Sequence, residues 1–257
     1  MGSDLVVNTD YEGEIRSQGD KVKIPTVLDP TIEDYDPVTG FGDSIQDIKG
    51  ADKGFEIEEA KAFRFKVDDI AKVQSLIGGK YMNEGMRRAA RKLAEAADAY
   101  VAGKIVDPVS GALNRVTNLD LSATPDVTYQ QFVNARVALD KTETPHDGRF
   151  AIVSPDLYGR LLLDPRFTDA SQFGSNEPIR NGLVGRFLGF NVVSCNVLPA
   201  TTHLIAGHKI ATTYADQIVE TEAYRPEKWF ADAVRGLHVY GARVMRREHL
   251  YVAQTAA

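Results

Sequence analysis

Residues 20–28, Asp20-Lys-Val-Lys-Ile-Pro-Thr-Val-Leu28, and residues 54–68, Gly54-Phe-Glu-Ile-Glu-Glu-Ala-Lys-Ala-Phe-Arg-Phe-Lys-Val-Asp68, decide how this sequence folds. Both segments alternate apolar and polar residues over most of their length, which is typical of a β-strand with one covered face. Turn-forming sequences separate them, among them Asp36-Pro-Val-Thr-Gly40 and Gly50-Ala-Asp-Lys-Gly54. The sequence therefore predicts a long β-hairpin near the N-terminus.

A hairpin of this length presents more apolar surface than two strands can cover. Arms of about 15 residues would reach roughly 50 Å, and an isolated two-stranded ribbon is marginally stable in water. The apolar row of the return arm therefore needs a further surface to pack against. Another copy of the protein is the simplest source of that surface, and the alternative is that the hairpin folds back on its own domain.

Composition narrows the class of protein. The chain has 257 residues, of which 43% are hydrophobic, enough for one large or two modest domains. A net charge of −6 argues against a protein that grips nucleic-acid phosphates. The single cysteine, Cys195, excludes an intramolecular disulfide. We expect no membrane span and no signal peptide, because neither apolar pattern is present.

The strongest helical pattern covers about residues 80–104. Apolar and small side chains recur there at spacings of three and four, which places them on one face of a helix. Five of these residues are predicted to form the core-facing side of the helix: Met82, Met86, Leu93, Ala97 and Tyr100. Short strands and helices alternate after this helix, so the sequence predicts an α+β fold.

No pattern of catalytic chemistry emerges from the residues. A nucleophile elbow and a phosphate-binding loop are both lacking, and the five histidines form no helical metal pair. Adjacent carboxylates on a predicted strand, such as Glu58 and Glu59, point to opposite faces and cannot act as an acid–base pair. We therefore predict no catalytic, cofactor or metal site. A small hydrolase or transferase is kept as an alternative from a different class.

Several segments, taken in order, resemble the tailed-bacteriophage major capsid proteins with the Hong-Kong-ninety-seven-type fold. The matching segments are Val7-Asn-Thr-Asp-Tyr-Glu-Gly-Glu-Ile15, Phe63-Arg-Phe-Lys-Val-Asp-Asp-Ile70, Met86-Arg-Arg-Ala-Ala90, Phe150-Ala-Ile-Val-Ser-Pro155, Gly185-Arg-Phe-Leu-Gly-Phe-Asn-Val192 and Gly236-Leu-His-Val-Tyr-Gly241. The resemblance covers nearly the whole chain, and it rests on the ordered set rather than on any one motif.

The resemblance implies a division of the chain into five parts. Residues 1–19 would form an N-terminal arm, shortened relative to such proteins, and residues 20–69 the extended β-hairpin loop. Residues 70–127 would contain the long spine helix and the first part of a peripheral domain. Residues 128–222 would form mainly an axial domain, and residues 223–257 the closing strands of the peripheral domain.

The resemblance also implies a function. The protein would be a structural subunit that self-assembles into pentamers and hexamers of an icosahedral virion capsid, in the cytoplasm of the host bacterium. It would enclose double-stranded DNA without sequence-specific binding and would meet scaffolding, portal or decoration proteins. An encapsulin-like nanocompartment shell is the second structural reading. Contacts between subunits are predicted for residues of the extended loop: Lys49, Asp52, Lys53, Glu56, Glu58, Lys61 and Arg64.

Overall fold

The structure, a computed structural model, describes residues 6–10, 19–24, 53–68, 80–120, 126–163, 183–228 and 230–256. Its α-helices are α1 (Lys80–Val106), α2 (Asp126–Lys141) and α3 (Pro155–Leu163). Its strands are β1 (Lys21–Ile24), β2 (Lys53–Glu56), β3 (Glu59–Asp68), β4 (Asn114–Val116), β5 (Arg149–Val153), β6 (Leu183–Phe187), β7 (Phe190–Ser194), β8 (Thr202–His208), β9 (Thr212–Tyr224), β10 (Ala231–Val244) and β11 (Leu250–Gln254).

A six-stranded mixed sheet forms the larger body, with strand order β4-β11-β8-β5-β7-β6. Strand β5 is parallel to β7 and antiparallel to β8, and β4 is parallel to β11. All residues of β5 and β8 are buried. A strand buried on both faces is expected to be an uninterrupted apolar run, and Phe150-Ala-Ile-Val153 fits this expectation.

Helices α2 and α3 cover one face of this sheet. Phe132, Leu139, Leu157 and Leu161 are fully buried in the cluster that joins both helices to the sheet. The ring of Phe132 meets that of Phe187 edge to face, with 5.1 Å between centroids. The inward-facing side chains of this layer are buried within the subunit, whereas Val137, Leu162 and Leu163 of the same helices are exposed.

A three-stranded antiparallel sheet, with order β3-β10-β9, forms the smaller body. The 14-residue strand β10 is central and pairs with β3 along one edge and with β9 along the other. Gly236 lies opposite Phe63, and a Cβ atom at this glycine would come within 2.5 Å of the Phe63 ring. The glycine therefore gives the aromatic ring room to lie across β10.

Among the described residues, the hairpin is formed by β1 and β2, which pair from Lys21 opposite Glu56 to Ile24 opposite Lys53. The chain then passes through Ile57 and Glu58, and β3 pairs with β10 of the same chain. The prediction that residues 59–68 pair with the outgoing arm is therefore wrong, because β10 offers this segment a longer and better-supported edge.

The base of the hairpin packs on its own subunit. Val22, Phe55 and Ile57 are buried in one cluster with Ala215 and Val239 of the three-stranded sheet. For these residues the alternative of a hairpin folded back on its own domain is the correct one. Residues 25–52, which contain the rest of the predicted loop, lie outside the described part of the chain.

Helix α1 runs across both bodies and differs along its length. In its C-terminal half, Ala97, Val101, Ala102 and Ile105 are buried in the cluster that joins the two sheets. Of the five residues predicted to face the core, Ala97 is buried, and the other four are half-buried: Met82, Met86, Leu93 and Tyr100. The N-terminal half is therefore only partly covered within the subunit.

The five-part division stays a prediction, and each sheet combines strands from different parts of the chain. Strand β9 belongs to the three-stranded sheet, although most of it falls within the predicted axial segment 128–222. Strand β11 belongs to the six-stranded sheet, although residues 223–257 were expected to close the peripheral domain. Strand partners that are distant in sequence decide these assignments. None of the helices in the described segments is both long and apolar enough to cross a membrane.

Candidate assembly surface

A groove of about 530 Å³ separates the N-terminal half of α1 from the three-stranded sheet. We call it the α1 groove. Its walls are mainly apolar, and they include Phe63 of β3 and Ile218 of β9, with Met86, Ala90, Leu93 and Ala94 of α1. Ile218 is 67% exposed, and Leu93 is half-buried. A partly uncovered apolar lining of this kind marks a surface that another element can cover.

Strand β3 continues this incomplete surface. None of its residues is fully buried, and the apolar side chains of Phe63, Phe65 and Val67 are half-buried. Phe65 lies against Gly85 of α1, where a Cβ atom would come within 2.6 Å of the ring. The edge of β3 that faces away from β10 has no strand partner among the described residues.

Basic side chains cover the outer side of the same half of α1. The side chains of Arg87, Arg88, Arg91 and Lys92 are 79–83% exposed. Glu84 and Glu95 pair with them, for example through a 3.0 Å contact between Arg91 and Glu95. Four cations against two carboxylates leave this face positive, in a protein whose net charge is −6.

The structure places the predicted contact residues in different settings. Lys49 and Asp52 lie outside the described residues, and Lys53 begins β2. Glu56 is exposed and pairs with Lys21 across the base of the hairpin at 3.4 Å.

Lys61 pairs with Glu59 at 2.9 Å on β3. Arg64 is exposed and lines a 390 Å³ pocket on the three-stranded sheet, beside Glu222 and Arg235. Their role between subunits stays a prediction.

Glu58 contacts helix α1 of its own chain. It accepts hydrogen bonds from the Tyr100 hydroxyl at 3.0 Å and from Lys104 Nζ at 2.7 Å. The hydrogen bond from Lys104 lowers the pKa of the Glu58 carboxyl. Burial, together with the hydrogen bond to Glu58, raises the pKa of Tyr100 to about 12. These contacts attach the connection between β2 and β3, formed by Ile57 and Glu58, to helix α1.

A second pocket, of about 630 Å³, lies beside the base of the hairpin. We call it the arginine pocket, because Arg243 and Arg247 line it together with Lys104 and Ser110. Arg243 donates to the Gly54 carbonyl at 2.6 Å, and Arg247 donates to the Gly111 carbonyl at 2.8 Å. Within the described part of the chain, neither guanidinium makes an ion pair with a carboxylate.

Sequence reasoning did not find the arginine pocket. Its residues come from β2, from α1 and its following turn, and from the end of β10, so no local motif joins them. A signal was present in the sequence as Arg243-Val-Met-Arg-Arg247, a basic cluster in an acidic chain. That cluster was not singled out, because basic residues at a strand end are most often solvated.

One buried pair has the geometry of a nucleophile and its base. Ser154 Oγ lies 3.0 Å from His203 Nδ1, and both side chains are buried. The Ser154 hydroxyl also accepts a hydrogen bond from the Leu157 amide, so it serves as the N-cap of α3. Burial lowers the pKa of His203, which favours the neutral ring. The pair therefore ties α3 to β8 as part of the fold. The described residues contain no cluster of three or more metal-ligating side chains.

Known proteins match this chain both in sequence and in fold. A family model described as phage capsid protein matches residues 50–253. A structure from Mycobacterium phage Che8 is 32% identical in sequence, with a TM-score of 0.70, and the alignment covers 98% of this chain and 89% of that chain. Comparison with curated protein sequences gives no significant match.

More distant structures share the fold. The capsid structure of cyanophage P-SCSP1u has a TM-score of 0.70 at 17% identity, over 98% of this chain and 86% of that chain. A virus-like particle from Pyrococcus furiosus has a TM-score of 0.60 at 14% identity, over 99% and 92% of the two chains. The family match covers most of the sequence, and the structural matches cover nearly all of it. The chain therefore belongs to the phage capsid protein family and is a structural subunit of the tailed-phage capsid, a major capsid protein rather than an enzyme.

Proposed function

We propose that the protein assembles with copies of itself into pentamers and hexamers of an icosahedral shell, and that the shell encloses double-stranded DNA. The observation that carries the proposal is the incompletely covered surface formed by β3 and the α1 groove. Exposed apolar walls, a free strand edge and a basic helix face are features of a surface that becomes covered on association.

The two bodies would take different places in such a capsomer. We assign the six-stranded sheet with α2 and α3 to the axial domain, near the capsomer centre. The three-stranded sheet is assigned to the peripheral domain, and α1 to the spine helix that joins the two. The self-contained core of the larger body and the open surface of the smaller one support this assignment.

The extended loop would supply the contact between neighbours. Residues 25–52 connect the paired strands β1 and β2, so both ends of the segment are held side by side. A segment of this length folded into two arms can reach roughly 45 Å, which is comparable to the diameter of a compact domain of this size. We infer that it lies on an adjacent subunit.

The charge of the protein agrees with enclosure of DNA without tight binding. A net charge of −6 disfavours non-specific contact with phosphates over most of the surface. Packaged DNA can then move against the wall as it enters. Scaffolding, portal and decoration proteins are further proposed partners, and the host cytoplasm is the proposed place of assembly.

Replacement of the loop tests this function. A variant with residues 26–51 exchanged for a Gly-Ser segment of equal length keeps β1, β2 and the closure of the loop. We expect it to fold with an unchanged circular dichroism spectrum and to remain as free subunits in negative-stain micrographs, whereas the wild-type protein forms capsomers or shells. Wild-type protein that stays monomeric under all assembly conditions contradicts the proposal, as does a variant that assembles like wild type.

A further inference from the structure

The arginine pocket is lined by two arginines that make no ion pair with a carboxylate of the described residues. Its two arginines are anchored through backbone carbonyls, which use one N–H group of each guanidinium. A guanidinium carries five such donors, so most of them stay available. Among the described residues, Arg235 pairs with Glu222 at 2.6 Å and Arg225 with Asp232 at 3.1 Å, whereas the exposed Arg64 and Arg246 make no such pair.

The charges around the pocket confirm that its excess is positive. Lys104 pairs with Glu58, and Lys21 pairs with Glu56, so these four charges offset one another. Arg243 and Arg247 are then the cations of the lining without a paired carboxylate among the described residues, and Asp107, which accepts a hydrogen bond from Ser110 Oγ at 2.9 Å, adds one negative charge beside the lining. Arg115, whose Nη2 donates to the Val106 carbonyl, has a buried Nε without a partner among the described residues. Burial lowers the pKa of Arg115, the charge of Asp107 raises it, and the charge of Arg247 lowers it.

The chemistry of the pocket favours a carboxylate over a phosphate. The guanidinium group of an arginine can donate two parallel hydrogen bonds to either a carboxylate or a phosphate. Glu56 and Glu58 also line this pocket, however, and their charges would repel a polyanion such as DNA more strongly than a single carboxylate. The ligand expected here is therefore the side chain of an aspartate or a glutamate.

The sequence offers one concentrated source of such side chains. Residues 25–52 contain seven acidic residues and a single lysine, so this segment carries as much net negative charge as the whole chain. The acidic residues are Asp29, Glu33, Asp34, Asp36, Asp43, Asp47 and Asp52. No stretch of equal length that lies wholly outside residues 25–52 has a comparable excess of acidic residues.

We propose that the arginine pocket of one subunit binds carboxylates from residues 25–52 of a second copy. The inference rests on the proposed function, because it specifies which surface of the neighbour receives the loop. It makes assembly sensitive to ionic strength, since the contact joins opposite charges at a partly exposed site. It also gives Arg243 and Arg247 a role that the isolated subunit does not require.

A charge-exchange experiment on the full chain tests the proposal. The first variant reverses the pocket with Arg243→Glu and Arg247→Glu. The second variant reverses the segment by changing five aspartates to lysine: Asp34, Asp36, Asp43, Asp47 and Asp52. Each variant alone places like charges in contact, and we expect each to need at least about a tenfold higher concentration for assembly, measured by light scattering and negative-stain microscopy.

The decisive sample is an equimolar mixture of the two variants. In the mixture the acidic segment of the first variant meets the arginine pocket of the second, and the basic segment of the second meets the acidic pocket of the first. We expect hexamers, in which the two variants can alternate, to form within about threefold of the wild-type concentration, because both kinds of contact then join opposite charges. A ring of five cannot alternate, so pentamers are not expected from the mixture. A chain that carries all seven substitutions should also assemble alone.

Other outcomes overturn the inference. If the seven-substitution chain assembles but the mixture forms no hexamers, the pocket binds the segment of its own chain. If the pocket variant assembles like wild type, the pocket receives no carboxylate, although the proposed shell function stands. Failure of wild-type protein to assemble counts against both proposals. Lys141→Glu with Lys209→Glu, two exposed lysines outside the pocket, is the matched control and should assemble normally.

Folding of the variants is checked separately by circular dichroism and thermal unfolding of the free subunits. If the charge-reversed pocket does not fold, Arg243→Gln with Arg247→Gln replaces it, because the amides can still donate to the Gly54 and Gly111 carbonyls. This variant should fold, should need a higher concentration for assembly, and should lose much of the wild-type dependence on salt. A salt dependence equal to that of wild type would contradict the proposal.

Discussion

The six-stranded sheet and the three-stranded sheet differ in how completely their apolar residues are buried. In the larger body, all residues of β5 and β8 are buried, and α2 and α3 close one face. In the smaller body, β3 contains no fully buried residue, and the α1 groove stays open beside it. The first body completes its core within one chain, although Leu163 of α3 stays exposed, whereas the second leaves an apolar surface that we propose a neighbour covers.

The difference follows from how each sheet is covered. Two short helices pack on the larger sheet with closely fitted side chains such as Phe132 and Leu161. The smaller sheet has only α1 above it, and this helix contacts the sheet closely at Gly85 and Tyr100 while leaving space between them. Substitutions in the two bodies should therefore affect different properties, namely folding in one and assembly in the other.

Introducing a charge gives the largest expected contrast. Leu161→Asp places a carboxylate in a fully buried position of α3 and should unfold the subunit, because the charge has no partner there. Leu93→Asp places the same charge in the half-buried wall of the α1 groove, where water can reach it. We expect this variant to fold and to fail in assembly. Thermal unfolding and light scattering of both variants check the contrast, and equal melting temperatures would contradict it.

Truncation of an aromatic ring gives a smaller version of the same comparison. Phe132→Ala should cost about 3–5 kcal/mol of unfolding free energy, as expected for a fully buried ring. Phe63→Ala, at a half-buried position, should cost about 1–2 kcal/mol, in proportion to the smaller buried area. Urea unfolding of free subunits measures both values. A larger loss for Phe63 would mean that the smaller body depends on this ring for its fold.

The pH dependence of stability should report on the larger body and its junction with the smaller one. Burial lowers the pKa of His203, His208 and His249 below the ordinary value of 6.5. The unfolded chain therefore binds more protons as the pH falls below 6.5, and the unfolding free energy decreases. Urea unfolding at pH 7.5 and pH 5.5 measures this loss, and His208→Gln should reduce it. Stability that is constant or rises over this range would show that the rings are not held neutral.

Loss of the contact between Glu58 and helix α1 should have the smallest effect on the unfolding free energy. Glu58→Gln weakens the hydrogen bonds from Tyr100 and Lys104, but the Glu58 side chain is 58% exposed, so solvent screens the loss. We expect a decrease of less than about 1 kcal/mol in unfolding free energy. A double-mutant cycle with Lys104→Met measures the coupling. A coupling above about 2 kcal/mol would mean that this contact holds the hairpin more firmly than its exposure indicates.

Local sequence patterns predicted the helices and strands more successfully than they predicted which strands pair. The apolar run in β5, the helical period of α1 and the alternation in β3 each identify an element from neighbouring residues. The pairing of β3 with β10 joins residues more than 160 positions apart, as in Phe63 opposite Gly236, and no local pattern specifies it. The return arm was therefore recognised as a strand but assigned the wrong neighbour.

The candidate surfaces show the same limit. Met86 and Leu93 were predicted to face the core and line the α1 groove, but the sequence does not show that the sheet below them leaves a groove. Arg243 and Arg247 reach their pocket only because the end of β10 lies beside the base of the hairpin. Surfaces composed from distant segments become visible only when the strand order is known.

Hydrogen–deuterium exchange on free subunits and on assembled particles tests the central claim most directly. The account predicts that the amides of β3 and of the N-terminal half of α1, about residues 80–96, become strongly protected on assembly, while those of β5 and β8 exchange equally slowly in both states. Unchanged exchange in β3 and α1, in particles whose integrity is confirmed by microscopy, would contradict the claim that neighbours cover this surface.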